Sequence, residues 1–185
     1  MSHRVCPWWL GYFLVSPLRR LWQSPRRILS PHVSAGMTVI EPGCGMGFFT
    51  LELARLVGPR GKVIAIDLQS RMLAGLRRRA ARAGLAERIE GRLVENASLG
   101  IEDSSGAVDF ALAFYMVHEL PDQATFLAEV SRALKPGGTL LLAEPGGHVS
   151  EQDFAATLAL AEKSGFRLAG RPTIASSRAA VLTRT

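Results

Sequence analysis

The feature that most restricts the fold is residues 39–47, Val-Ile-Glu-Pro-Gly-Cys-Gly-Met-Gly. A short apolar run ends in Glu41 and passes into a loop with glycine at every second position, Gly43, Gly45 and Gly47. Apolar residues at helical spacing follow over Phe48–Val57, namely Phe49, Leu51, Leu53, Ala54 and Val57. A strand that turns through bare backbone into a helix brings main-chain N–H groups against a nucleotide-like ligand in a parallel α/β sheet. The spacing here is acid-x-G-x-G-x-G. Dinucleotide sites use G-x-G-x-x-G, so a nicotinamide dehydrogenase is disfavoured.

The rest of the chain alternates in the same way. Thr38–Glu41 reads as a strand, Gly58–Gly61 as a turn and Lys62–Asp67 as a second strand. Ser70 is placed to cap a helix running to about Ala83, with Met72, Leu73, Leu76 and Ala80 on one side and Arg77, Arg78, Arg79 and Arg82 largely on the other. Gly84 ends it. Ile89–Val94 and Val108–Ala113 read as the third and fourth strands, and Asp122 caps a helix to Leu134. That helix stops at the turn Lys135-Pro136-Gly137-Gly138, before a fifth strand over Thr139–Ala143. A helix over Glu151–Ser164 precedes two strands, Gly165–Ala169 and Ala179–Arg184, joined by a short loop. The pattern predicts an α/β, doubly wound sheet of seven strands, mostly parallel with an antiparallel C-terminal hairpin.

Further residues fall where one ligand would need them. Asp67 ends the second strand twenty residues after Gly47, where a carboxylate can accept from both ribose hydroxyls. Asn96 and Ala97 follow the third strand, and Leu134–Gly138 closes the helix before the fifth. Over Met37–Glu144 these residues resemble the class I S-adenosylmethionine (SAM)-dependent methyltransferases, in the small-molecule branch that contains the ubiquinone and menaquinone C-methyltransferases. The resemblance implies a Rossmann-like methyltransferase fold with SAM as cofactor. It gives Glu41 the ligand's amino group, Gly43, Cys44, Gly45 and Gly47 its methionine part, and Asp67 the ribose. Leu68 covers the adenine face, Asn96 and Ala97 meet the adenine edge, and Ala113 completes the set. Asn96 stands where the family usually has aspartate, and an amide oxygen can accept the same bond. Cys44 reads as a small packing residue rather than a nucleophile, and Asp109 as a residue that orders the sheet.

The resemblance places the acceptor at Phe114–Asp122, after the fourth strand. Methyl transfer from a sulfonium is an in-line displacement that chiefly needs aligned reactants and excluded water. A base is required only when the acceptor must lose a proton, and histidine titrates in a suitable range. His118 is therefore the candidate base. Tyr115 is a candidate for orienting the acceptor, and Glu119, where the family pattern often has a second histidine, makes the surroundings more negative. Glu144 and His148 follow the fifth strand. With His118 they carry no metal-ligand spacing, and no metal is expected.

Residues 1–34 form a separate aromatic and basic segment, ahead of a SAM-binding domain over 35–185. The link Pro145–Ser150 is short, so an acceptor lid comes from this segment, from a second subunit, or from neither. His3, Cys6, Trp8, Trp9 and Tyr12 are its acceptor-side candidates, and an amphipathic helix packed on the sheet is the competing reading. Tryptophans beside arginines over residues 8–27 also suit a peripheral contact with an anionic membrane.

The net charge is +6, carried mainly by dispersed arginines. A nucleic-acid partner is disfavoured: amino-methylating DNA enzymes carry an Asp/Asn-Pro-Pro-aromatic loop, where this chain has Ala113-Phe114-Tyr115-Met116. An RNA methyltransferase and a non-catalytic binding module are the alternatives to an enzyme acting on a small molecule. Two cysteines fit a reduced compartment and are too few for arsenite chemistry. No apolar run approaches the roughly 18–20 residues of a membrane span. The apolar stretch Trp8–Val15 lies between Pro7 and Pro17 and lacks a signal-peptide cleavage site, so a cytoplasmic location is expected.

Overall fold

The computed structural model describes residues 23–94 and 98–185. Seven strands form a sheet of order β3-β2-β1-β4-β5-β7-β6, and the described residues divide into two compact units, 23–94 and 98–185.

The first unit opens with a short helix, α1 (Pro25–Leu29). Pro25 starts this turn, because a proline lacks only an N–H that the first helical position leaves unused. Then come β1 (Thr38–Pro42), α2 (Thr50–Val57), β2 (Lys62–Asp67), α3 (Ser70–Arg82) and β3 (Ile89–Leu93). β1 pairs with β2, and β2 with β3, both parallel, with Glu41 opposite Ala65 and Asp67 opposite Leu93. Val39, Ile40, Leu53, Val63, Ile64 and Leu76 fill the core. Burying each such side chain contributes about 1.5–3 kcal/mol. In α3 the apolar stripe predicted from the sequence, Met72, Leu73, Leu76 and Ala80, is buried. Ser70 does not cap this helix. Gln69 occupies the cap position without a side-chain capping bond, and its own N–H is taken by Asp67 at 2.9 Å.

The second unit contains β4 (Val108–Phe114), α4 (Gln123–Ala133), β5 (Leu134–Pro145), α5 (Glu151–Lys163), β6 (Phe166–Gly170) and β7 (Ser177–Arg184). Asp122 caps α4 as expected, accepting from Thr125 N at 3.0 Å, and Ser150 caps α5 through Asp153 N at 3.1 Å. β4 and β5 are parallel, whereas β5–β7 and β6–β7 are antiparallel. Phe110, Leu112, Phe126, Leu127, Leu141 and Phe154 make its core. The segment Lys135–Gly138, read as a free turn, is a bulge inside β5. Val108 faces Leu134, but Phe110 faces Thr139. Gly137 adopts φ 78° within it, and Lys135 Nζ donates to Asp109 Oδ1 at 2.5 Å across it.

Candidate active site

In the first unit, β1 and β2 end side by side and the glycine loop is tied to both. Gly43 and Cys44 donate to the Ile66 carbonyl at 2.8 and 3.1 Å, and Gly45 N donates to Asp67 Oδ2 at 2.9 Å. Asp67 thus spans the loop and its own chain, accepting from Gly45 on one oxygen and from Gln69 on the other. Burial raises its pKa, and these N–H bonds partly offset the rise. A carboxylate accepts about four bonds, so capacity remains for a ribose.

Gly43, Gly45 and Gly47 all lie in the left-handed region, at φ 70°, 54° and 83°. A Cβ at Gly45 would project into open space, so the loop presents bare backbone there. At Gly47 it would overlap Leu76 Cδ1, because the loop packs closely on α3. Arg79 adds to this packing by donating to the Met46 carbonyl.

Glu41 lies beneath the loop, 4% exposed, and its Oε2 is buried without a hydrogen-bond partner. Desolvation pushes its pKa up to about 8. The nearby Thr50 hydroxyl partly offsets this without completing a bond of normal geometry, and Asp67 adds repulsion. Burial, reinforced by Glu41 and Asp67, drives the Cys44 thiol well above its usual range, so it is a packing group. Leu68 is among the few large apolar side chains left exposed, at 48%. An orphaned buried carboxyl oxygen, a cradle of bare backbone and a carboxylate at the strand end fit the ammonium, methionine and ribose parts of SAM. Asn96 and Ala97 lie outside the described residues, as do His3, Cys6, Trp8, Trp9 and Tyr12.

In the second unit, Ala113 is fully buried in β4, in register with Leu142. The chain then turns sharply: Tyr115 has φ 61°, rare for a non-glycine, and donates its N–H to the Ala143 carbonyl at 2.8 Å. Its hydroxyl lies 2.5 Å from Ser177 Oγ. One 3₁₀ turn, Val117–Glu119, carries the next two candidates. His118 donates its backbone N–H to Glu144 Oε1 at 3.2 Å, and its ring Nδ1 lies 2.5 Å from Glu144 Oε2. Glu119 Oε1 is 4.0 Å from His118 Nε2. Burial raises the pKa of both glutamates, and His118 opposes the rise in each. His148 is exposed on the loop after β5. Among the described residues no group of three or more His, Cys, Asp or Glu could hold a metal ion.

Sequence reasoning grouped His118 and Glu144 only in a disfavoured metal set with His148 and missed their hydrogen bonds, and it missed the contacts of Thr50, Arg79 and Ser177. A signal existed for Glu144. β1 and β5 both end in Glu-Pro after an apolar run, with glycine next, so an acid at that position is buried in each.

The chain matches the methyltransferase domain family over residues 33–170 and belongs to it. It is 32% identical over 111 residues to a demethylmenaquinone methyltransferase of Lactococcus lactis subsp. lactis (strain IL1403), covering 59% of this chain and 42% of that protein. It is also 32% identical over 127 residues to the ubiquinone/menaquinone biosynthesis C-methyltransferase UbiE of Hahella chejuensis (strain KCTC 2396), covering 69% and 50%. It therefore spans half or less of the length of these relatives. A SAM-dependent methyltransferase from Aquifex aeolicus superposes with a TM-score of 0.84 at 24% identity, covering 97% of this chain and 98% of that one. The fold is that of the class I SAM-dependent methyltransferases. No helix among the described residues is long and apolar enough to cross a membrane.

Proposed function

We propose that the chain transfers the methyl group of SAM to a small-molecule acceptor. The observation that carries this is the buried Glu41 carboxyl with an unbonded oxygen beneath the glycine loop. An ammonium is the natural partner for such a group, because a nearby cation restores the carboxylate that burial disfavours. Gly43, Cys44, Gly45 and Gly47 hold the methionine part through their backbone. Asp67 takes the ribose, Leu68 covers the adenine face, and Asn96 and Ala97 hold its edge. On the acceptor side His118 takes up a proton, Tyr115 orients the acceptor and Glu119 sets the local charge. Residues 1–34 serve as the acceptor lid, ahead of a SAM-binding domain over 35–185, and the enzyme works in the cytoplasm.

The names of the relatives supply the first acceptor to try, a demethylmenaquinone. Such a lipophilic acceptor gives the aromatic and basic residues 8–27 a use at an anionic membrane surface. Calorimetry with SAM tests the whole reading, with micromolar binding expected; a purified, folded chain that binds no SAM ends it. Equal sedimentation with anionic liposomes before and after removal of residues 1–30 would end the membrane contact alone.

A further inference from the structure

Glu144 spends both carboxylate oxygens on one residue. Oε1 accepts the backbone N–H of His118 and Oε2 meets ring Nδ1. The carboxyl is 1% exposed, so it needs these partners to remain ionised. A backbone N–H can only donate, which fixes the carboxyl as the acceptor at Oε1. A proton on Nδ1 gives Glu144 a second, charge-assisted bond at Oε2. With that proton on Nδ1, the neutral ring carries its lone pair on Nε2.

Building on the methyl-transfer reading above, we infer that Glu144 is a positioning residue for His118, and that the acceptor carries an acidic hydroxyl, a phenol or enol, whose proton Nε2 removes. Other groups nearby are worse placed to do this. The Tyr115 hydroxyl is engaged with Ser177, and Glu119 stands 4.0 Å from Nε2 on the same turn. Among the described residues, Glu144 and Glu119 are the charged groups in ion-pair range of the ring.

The step balances with the reactants already named. The acceptor O–H bond breaks and its proton passes to Nε2. An electron pair of the acceptor, on oxygen or on the carbon conjugated with it, forms the bond to the methyl carbon. The carbon–sulfur pair returns to sulfur and discharges the sulfonium. His118, now an imidazolium held by Glu144, later releases the proton to water; its side chain is 28% exposed. An acceptor that is already a free nucleophile would leave this arrangement without a task.

Histidine-selective ¹⁵N NMR on the full chain tests the first half, with His118 assigned from H118Q. A protonated Nδ1 and a bare Nε2 are expected for the neutral ring, and the opposite tautomer overturns the inference. This measurement needs no Glu144 variant, so it decides even where E144Q fails to fold. Turnover of a graded series of phenols with SAM tests the second half. E144Q should lower kcat about 10²–10⁴-fold, most for the least acidic phenols, with KM for SAM unchanged and partial rescue by E144D. A wild-type kcat and pH profile in E144Q overturns the positioning role. SAM binding accompanied by turnover of amines or thiols but no phenol or enol overturns the acceptor class. Absence of SAM binding would strike the methyltransferase reading instead.

Discussion

Glu41 and Glu144 stand next to last in β1 and β5, each followed by Pro-Gly, yet the two regions treat their carboxyls in opposite ways. Under the glycine loop Glu41 keeps one oxygen without a partner, and its pKa is pushed up to about 8. After β5, both oxygens of Glu144 are taken by His118. One region stores an unmet electrostatic demand that a cationic ligand can satisfy. The other has met its demand internally and so fixes the geometry of a neighbour. Identical local sequence therefore gives a binding group in one place and a positioning group in the other.

The comparison breaks most readily at His118. H118A should cut turnover about 10²–10⁴-fold, the usual contribution of a general base, while calorimetric SAM affinity stays at the wild-type value. Lost SAM binding in this variant would mean that the two regions do not divide the work.

Glu41 offers the converse. Its folded pKa lies above the usual carboxylate value, so the folded state holds a proton that the unfolded chain releases. The stability this confers is complete below about pH 4.5 and is lost as pH rises to about 8 and beyond. E41Q should flatten that fall and exceed the wild type in urea-midpoint stability at pH 8.5. The gain is bounded by roughly 5 kcal/mol, at about 1.4 kcal/mol for each tenfold change in proton affinity. The same variant should bind SAM more weakly. Equal pH profiles for the two proteins would show that Glu41 is solvated.

A smaller effect is expected at Asp67, which accepts two loop N–H bonds. D67A should weaken SAM binding roughly 10–100-fold, one to two charge-assisted hydrogen bonds' worth. Smallest is G47A, at φ 83° and against Leu76. It should cost about 1–3 kcal/mol of stability by thermal or urea unfolding.

The difference between the regions also explains what the sequence revealed. Glu41, the glycines and Asp67 lie on consecutive elements, so strand-loop-strand spacing alone puts them together, and they were named as one site. The α/β alternation and the C-terminal hairpin were equally legible, because hydrophobic period and turn residues report them locally. His118–Glu144 and Tyr115–Ser177 join residues 26 and 62 positions apart. They depend on which β5 residues fall opposite β4 and which β7 residues fall opposite β5, and no local pattern encodes that register. Ser70 misled for a local reason: Asp67 accepts the N–H of Gln69 two residues on, and Gln69 rather than Ser70 takes the cap position.

The bulge at Lys135–Gly138 carries a consequence for phase. Between the pairs Val108–Leu134 and Phe110–Thr139, β4 advances by two residues and β5 by five. The surplus of three is odd, and side chains alternate between faces along a strand. Every residue from Thr139 onward therefore presents to the face opposite the one an unbroken ladder would give it. Glu144 owes its side of the sheet, and with it His118, to a parity set six to nine residues upstream by Lys-Pro-Gly-Gly.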